Sequence, residues 1–283
     1  MSVDRVDRTG QVIGGRFRID ALIGRGAMAE VYRALDLATE TYVAVKILKK
    51  SLSGQPSAKL RFRREGNVQA KLRHRNIAAV YATGITEHDE PYLVVELLRG
   101  KTLRGVLKAE TRISPRRAAN YAWQALQGLA VVHQSGVLHR DLKPANLMLE
   151  PSPGPIERVA LIDFGFATLE GAVKLTLQGV VVGSLTYIAP ERLRGELPDG
   201  RSDLYSIGVI LYEMLSGAPP FQAHNEMDLI EMHLDTEPPP LDEALPEALR
   251  EIVDHALAKY PSERYANATA MAQALEAAAL TLT

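Results

Sequence analysis

The stretch His139-Arg140-Asp141-Leu142-Lys143-Pro144-Ala145-Asn146 decides the fold of this 283-residue chain. It brings a carboxylate, an ammonium group and a side-chain amide into one short segment. Two further signatures follow it, first Asp163-Phe164-Gly165 and then Ala189-Pro190-Glu191. A single tripeptide of this kind arises easily by chance, but several in order and at sensible spacing do not. Together the segments indicate one specific kind of functional site.

The bulk composition excludes several classes of protein. Hydrophobic residues make up 46% of the chain, enough for one domain or two closely packed lobes. A net charge of −1 gives no reason to expect nucleic acid or an anionic membrane as the main partner. The absence of cysteine excludes disulfides, thiolate metal sites and cysteine nucleophiles, and it fits a reducing cytosol. We therefore expect a cytoplasmic location.

No targeting or membrane segment is expected. Residues 1–15 carry charges with no apolar run behind them, unlike a signal peptide. The uncharged run from Ala118 to His139 contains too many amide and histidine side chains for a membrane span of about 20 apolar residues.

Hydrophobic periodicity predicts a β-rich first third and a mostly helical remainder, an α+β chain. Thr41 to Leu48 alternates as a strand does, and residues from about 58 to 73 follow a helical pattern. The join lies near Glu96 to Gly100, where two-lobed proteins often bind small molecules. The other predicted strands span 16–24, 77–84 and 91–97, and the other predicted helices about 115–135, 203–216, 226–234, 246–259 and 267–279.

A glycine-rich turn and a charged pair point to phosphate binding. In Gly24-Arg25-Gly26-Ala27-Met28-Ala29 the glycines let backbone N–H groups approach phosphates, although such a turn is more often a plain hairpin. Lys46 lies on a predicted strand, and Glu65 shares a helix face with Phe62 and Leu72. A carboxylate on an apolar face is costly unless it is paired. We therefore expect Glu65 to pair with Lys46 and hold its ammonium against nucleotide phosphates.

Taken in order, these segments resemble the signatures of the eukaryotic-type (Hanks-type) Ser/Thr protein kinases, in their bacterial branch. The resemblance covers residues 16–278 and includes Val43-Ala44-Val45-Lys46. It implies a bilobal α+β fold. A small β-rich N-lobe with one regulatory helix (16–97) would precede a larger, mainly helical C-lobe (98–278). An N-terminal extension (1–15) and a C-terminal tail (279–283) would flank this domain.

The resemblance also implies the catalytic roles. Asp141 would accept or orient the substrate hydroxyl proton, and Lys143 would contact the γ-phosphate of ATP. Asn146 and Asp163 would hold Mg²⁺, with Mn²⁺ as an alternative ion. Lys46, fixed by Glu65, would bind the α- and β-phosphates. Residues implied in binding the nucleotide are Ile23, Gly24, Arg25, Gly26, Ala27, Met28, Ala29, Val31, Ala44, Lys46, Val95, Glu96, Leu98 and Met148.

Residues outside the catalytic set bear on stability, specificity and control. Glu191 and Arg264 resemble a structural ion pair of the family, and Asp203 an anchor of the catalytic-loop backbone. Lys143 and Ser184 resemble the Ser/Thr branch of the family rather than the tyrosine kinases. The activation loop offers Thr176 as the first phosphosite candidate and Thr168 as the second, with Arg140 to receive the phosphate.

Three alternatives stay open at this point. A pseudokinase is disfavoured because the complete catalytic set is present. A small-molecule phosphotransferase would lack the Ala-Pro-Glu segment that this chain keeps. The basic run around Lys59 to Arg75 is most simply a solvated helix face, but it offers an N-lobe surface for a second copy of the chain or a regulatory protein, rather than nucleic acid. Protein substrates are the expected main partners.

Overall fold

A computed structural model of the chain describes residues 7–164 and 182–280. The chain divides into two compact units. The first comprises Met1–Arg73 and Ala78–Leu98, and the second His74–Ile77 and Arg99–Thr283.

The first unit is built on a six-stranded antiparallel sheet with the strand order β1-β2-β3-β4-β6-β5. The strands are β1 (Val12–Ile13), β2 (Phe17–Arg25), β3 (Ala29–Asp36), β4 (Thr41–Leu48), β5 (Val80–Ile85) and β6 (Pro91–Val95). Two helices, α1 (Lys50–Ser53) and α2 (Pro56–Gln69), connect β4 to β5.

Strand β4 lies inside the sheet, between β3 and β6, and apolar residues pack on both of its faces. Val43, Val45 and Ile47 join the core cluster on one face of the sheet. Leu48, on the other face, packs in a second cluster with Phe62 of α2 and Leu93 of β6. The strand therefore fixes α2 against the sheet, and Lys46 is its one residue between Val43 and Leu48 that is not fully buried.

The second unit is mainly helical and carries one small sheet of order β7-β8-β9. The strands are β7 (Lys101–Thr102), β8 (Leu147–Glu150) and β9 (Arg158–Leu161). The helices are α3 (Leu103–Glu110), α4 (Pro115–Gln134), α5 (Pro190–Arg194), α6 (Gly200–Ser216), α7 (Glu226–Asp235), α8 (Glu247–Ala256) and α9 (Ala268–Ala279). Every residue of α6 from Ser202 to Leu215 is buried, as its apolar sequence predicts. In the part of the chain described here, no helix is long and apolar enough to span a membrane.

Several element boundaries differ by a few residues from the sequence prediction, and contacts in the structure explain two of these differences. Strand β5 begins at Val80 rather than at 77, because Ile77 forms an isolated bridge with Leu161 in the second unit. Helix α6 begins at Gly200 rather than at 203, because the Asp199 side chain accepts a hydrogen bond from the Arg201 N–H and caps the helix.

A buried ion pair ties the chain ahead of β1 to the first unit. Both carboxylate oxygens of Glu90 accept hydrogen bonds of 2.8 Å from Nη2 of Arg8. The side chains are 4% and 2% exposed. Sequence periodicity gave no sign of this pair, because its partners lie far apart along the chain.

Replacing Arg8 by Met is expected to lower the free energy of unfolding by about 3 kcal/mol, because Glu90 would stay buried without its partner. Urea unfolding measures the change. The matched control is Arg33→Met, which breaks the exposed Arg33–Asp20 pair and should cost under about 1 kcal/mol. Equal losses in the two variants would contradict a structural role for Arg8.

Candidate active site

The first unit brings Lys46 and Glu65 together. Lys46 lies at the centre of β4, where the ladder pairs it with Val31 of β3 and Leu93 of β6. Its Nζ is 3.2 Å from Oε1 of Glu65, which reaches it from α2. The side chains are only 15% and 10% exposed, so the pair is screened from water more than a surface pair is. The ammonium is thus held by a strand and a helix at the same time.

The glycine-rich turn joins β2 to β3. The Gly26 N–H donates to the Ala29 carbonyl over 2.9 Å and closes the turn. Ala29 begins β3, is buried, and does not have the positive φ that would strain an alanine. Alanine therefore carries no backbone strain at this position.

The residues predicted to bind the nucleotide lie in both units. Gly24 and Arg25 end β2, while Ile23 there is 50% exposed. Of the others, Val31 lies in β3, Ala44 in β4, Val95 at the end of β6, Glu96 and Leu98 directly after β6, and Met148 in β8 of the second unit. Glu96 is fixed within the first unit, since its carboxylate accepts from the Ala79 N–H at 3.2 Å.

In the second unit Asp141 is held by two neighbours. Lys143 Nζ donates to both carboxylate oxygens of Asp141, over 3.0 and 2.8 Å. Asn146 Nδ2 donates to Oδ2 of Asp141 over 3.0 Å and to its backbone carbonyl over 2.7 Å. Pro144 to Asn146 form a 3-10 turn directly after Lys143, so both donors come from the same short segment. The carboxylate is therefore fixed in direction while its side chain stays 35% exposed.

Asn146 also contacts the segment that carries Asp163. Its carbonyl accepts from the Ile162 N–H over 3.0 Å, and its Nδ2 lies 3.5 Å from the backbone oxygen of Asp163. Asp163 has a φ of +53° and an exposed side chain. The two residues predicted to hold a metal ion are thus neighbours, and the side chain of each carries an oxygen atom of the hard type that Mg²⁺ prefers as a ligand.

Asp203 holds the backbone just before Asp141. Its carboxylate accepts from the backbone N–H groups of His139 at 2.8 Å and Arg140 at 2.9 Å, and from Nε2 of His133 at 2.8 Å. Burial acts to raise the pKa of Asp203, but the hydrogen bonds from His133 and from the Arg140 N–H act in the opposite direction, so the pKa is lowered and the group stays ionised. Sequence reasoning missed His133, because one histidine in the last turn of a helix gives no signal of its partner.

His139 supports the same loop from inside. Its ring is fully buried and stacks on Phe164 with centroids 4.6 Å apart. Burial lowers the pKa of His139, so the imidazole is neutral. Its role is therefore packing between the two signature segments rather than proton transfer.

Glu191 and Arg264 form a bidentate pair, both bonds 2.9 Å, with side chains 2% and 0% exposed. Ser202 of α6 also donates to Glu191, over 2.5 Å. Burial acts to raise the pKa of Glu191, but Arg264 and Ser202 outweigh it and lower that pKa. The pair joins the start of α5 to the chain between α8 and α9.

A further buried carboxylate lies beneath the segment after the activation loop. Glu213 accepts from Arg104 Nη1 at 2.7 Å and from the Tyr187 hydroxyl at 2.6 Å. Burial is the main reason that the pKa of Tyr187 is raised, so the phenol keeps its proton. The sequence carried no signal for this contact, because the three residues come from distant parts of the chain.

Some predicted sites fall outside what the structure describes. Thr168 and Thr176 lie outside the described residues, as does Gly165. Ser184 lies in the 3-10 helix Val182–Tyr187, but its side chain is outside the described part.

Comparison with known proteins agrees with the motifs. Residues 17–276 match the family model described as the protein kinase domain. The serine/threonine-protein kinase PknB of Mycolicibacterium smegmatis is 39% identical over 272 residues, covering 93% of this chain and 43% of PknB. PknA of Mycobacterium tuberculosis, also a serine/threonine-protein kinase, is 37% identical over 274 residues, covering 95% of this chain and 63% of PknA. The chain thus spans less than two thirds of the length of these curated relatives.

The solved structures support the fold. The crystal structure of the PknI kinase domain of Mycobacterium tuberculosis superposes with a TM-score of 0.75 at 24% identity, covering 97% of this chain and 100% of that one. At that identity the likeness shows the fold alone. The predicted α+β class, with a smaller β-rich part and a larger helical part, is confirmed, and so is the resemblance to bacterial Ser/Thr kinases. The chain belongs to the protein kinase domain family.

Proposed function

We propose that this chain transfers the γ-phosphate of ATP to serine and threonine hydroxyls of proteins, its own activation loop among them. The observation that carries the proposal is the arrangement around Asp141, whose Oδ2 accepts from both Lys143 and Asn146. A carboxylate that is fixed and partly exposed can accept the proton of a substrate hydroxyl, and a neighbouring cation can stabilise the phosphate that the hydroxyl attacks. The relatives named serine/threonine-protein kinases support the choice of hydroxyl.

The proposed step uses these residues in separate roles. The substrate oxygen forms a bond to the γ-phosphorus while the bond from that phosphorus to the β–γ bridging oxygen breaks, and ADP leaves. Asp141 orients the hydroxyl and takes its proton. Lys143 stabilises charge on the γ-phosphate, and Lys46, held by Glu65, does so on the α- and β-phosphates.

A divalent ion, which we propose to be Mg²⁺ with Mn²⁺ as the alternative, would neutralise phosphate charge when bound. The donor set fits such an ion. The Asn146 amide nitrogen is engaged with Asp141, so the amide oxygen is the atom that would face the ion. The Asp163 carboxylate is exposed on the neighbouring segment. Both are hard oxygen ligands of the kind that Mg²⁺ combines with phosphate and water.

The adenine-binding and regulatory assignments extend the proposal. Val31, Ala44 and Val95 supply apolar surface in the first unit, and the backbone from Glu96 to Leu98 supplies hydrogen bonds to adenine. Phosphorylation of Thr176, or next Thr168, would place a dianion for Arg140 to bind and so order the loop. A cytoplasmic location, and docking of a second copy or a regulatory protein on the N-lobe, belong to the same proposal.

Label transfer tests the proposed function. The chain is incubated with γ-labelled ATP, Mg²⁺ and casein as a generic protein acceptor, and the labelled residues are identified after acid hydrolysis. We expect phosphoserine and phosphothreonine with no phosphotyrosine. Label on tyrosine alone would overturn the proposed hydroxyl specificity. ATP binding without any transfer to casein or to the chain would favour a binding module on the kinase fold.

Replacing Lys46 by Met is expected to lower kcat/KM for ATP by roughly 10²-fold. The substitution removes a largely buried cation that would stabilise the negative charge on the phosphates during transfer. Steady-state kinetics over a range of ATP concentrations measure the effect. Lys59→Met is the matched control, since Lys59 pairs with the exposed Asp89 on the surface of the same unit. Unchanged kinetics in Lys46→Met would argue against its phosphate role.

A further inference from the structure

The backbone immediately before Asp141 is in a conformation that needs support. Arg140 has a φ of +65°, in the left-handed region that L-residues other than glycine rarely adopt. Its N–H is held by Oδ1 of Asp203 over 2.9 Å. Its carbonyl belongs to the next peptide, the one that joins Arg140 to Asp141. The direction of that peptide sets where the Asp141 side chain leaves the backbone.

Arg192 binds that carbonyl. Its Nη1 donates to the Arg140 oxygen over 2.6 Å. Arg192 follows Glu191 in α5, and Glu191 is anchored by Arg264 and Ser202. The guanidinium is therefore presented to the catalytic loop from a helix that is itself fixed.

Burial makes the positive charge of Arg192 energetically unfavourable, so we expect its hydrogen bond to the Arg140 carbonyl to have a function. Burial lowers the pKa of Arg192, and the nearby positive charge of Arg140 acts in the same direction, while the negative charges of Asp203, Asp141 and Glu191 offset the lowering only in part. Among the described residues, the only hydrogen-bond acceptor that Arg192 reaches is the Arg140 carbonyl. An uncharged side chain would fill the same space without this electrostatic cost.

We propose that Arg192 is a positioning residue for phosphoryl transfer, fixing the Arg140–Asp141 peptide from its carbonyl side while Asp203 fixes the preceding peptide from its N–H side. The inference rests on the proposed kinase activity. Without the Arg192 contact the Arg140 carbonyl loses its partner, and rotation of this peptide would carry the Asp141 carboxylate away from Lys143 and Asn146. A shift of about 1 Å in a catalytic group costs on the order of 10²-fold in rate.

Kinetics of Arg192 variants test the proposal. We expect Arg192→Met to lower kcat by about 10- to 100-fold, because Asp141 is misdirected, while KM for ATP stays unchanged. Arg192→Lys keeps a cation and one donor, and its kcat should fall between those of Arg192→Met and the wild type. The matched control is Arg194→Met, on the same helix, whose guanidinium reaches the carbonyls of Leu234 and Lys259 instead. Thermal unfolding is measured on each variant.

The outcomes separate the inference from the function it rests on. An inactive wild type would refute the proposed function itself. An active wild type with undiminished kcat in Arg192→Met would overturn the role of Arg192. So would equal kcat in Arg192→Met and Arg192→Lys, or a loss in Arg194→Met as large as that in Arg192→Met, since each indicates packing alone. Should Arg192→Met fail to fold, a lower kcat in Arg192→Lys than in Arg194→Lys supports the role, and equal kcat overturns it.

Discussion

Replacing Asp141 by Asn is expected to lower kcat for phosphoryl transfer by about 10³-fold while ATP binding is retained. An amide is a far weaker proton acceptor than a carboxylate, and its NH₂ group would face the ammonium of Lys143 or the Nδ2 of Asn146. Both the proton transfer and the orientation of the hydroxyl would suffer. A coupled assay for ADP release measures kcat, and thermal shift with Mg²⁺–ATP measures binding.

Asp242→Asn is the matched control for this substitution. Asp242 is exposed, and its Oδ1 accepts from the Ala244 N–H, a bond that asparagine can also make. Its kcat should equal that of the wild type. If Asp141→Asn also kept the wild-type kcat, the proposed role of Asp141 would be wrong.

Replacing Arg264 by Met is expected to lower the free energy of unfolding by about 4 to 5 kcal/mol, the upper end of the cost of breaking a buried pair. Glu191 would be left 2% exposed, and the Ser202 hydroxyl would be its one remaining side-chain partner among the described residues. Arg264 also donates to the carbonyls of Ala258, Arg201 and Lys259, and these bonds would be lost as well. Urea unfolding of the two proteins measures the difference.

The exposed Arg201–Asp199 pair provides the control, since Arg201→Met should cost under about 1 kcal/mol. The double variant Glu191→Leu with Arg264→Met should recover part of the stability, because no buried charge remains. A loss in Arg264→Met no larger than in Arg201→Met would contradict the structural role.

The lowered pKa of Glu191 gives this pair a pH dependence. A carboxylate whose pKa is lower in the folded chain than in the unfolded one contributes stability that is fully present above the unfolded pKa. The contribution is lost as pH falls through the folded value. The stability difference between the wild type and Arg264→Met should therefore shrink on acidification below the ordinary carboxyl pKa.

Local sequence patterns predicted the elements that carry the chemistry. Thr41 to Leu48 alternates so clearly that β4 has the predicted bounds. The contacts within the segment from His139 to Asn146 are local, since Lys143 and Asn146 both donate hydrogen bonds to Asp141 a few residues away. Lys46 and Glu65 come together because strand and helix periodicity each place a charged side chain on an otherwise apolar surface.

Contacts between distant segments left no trace in periodicity. The contact of Arg192 with the catalytic loop could not be predicted, because in the sequence a basic residue after Ala-Pro-Glu looks the same as a basic residue on the surface. Arg8 with Glu90, and Arg104 with Glu213, are buried pairs whose partners are fixed only by tertiary structure. A pattern identifies the face on which a residue lies but not which distant group it meets.

Mapping of autophosphorylation sites tests the central claim most directly. The wild type and Asp141→Asn are each freed of phosphate with a phosphatase, incubated with Mg²⁺–ATP, and analysed by peptide mass spectrometry. Transfer by Asp141 predicts phosphate on serine or threonine between Asp163 and Glu191, Thr176 first, in the wild type alone. Equal phosphorylation of the two proteins, or a wild type that binds ATP and stays unmodified there, would contradict the account.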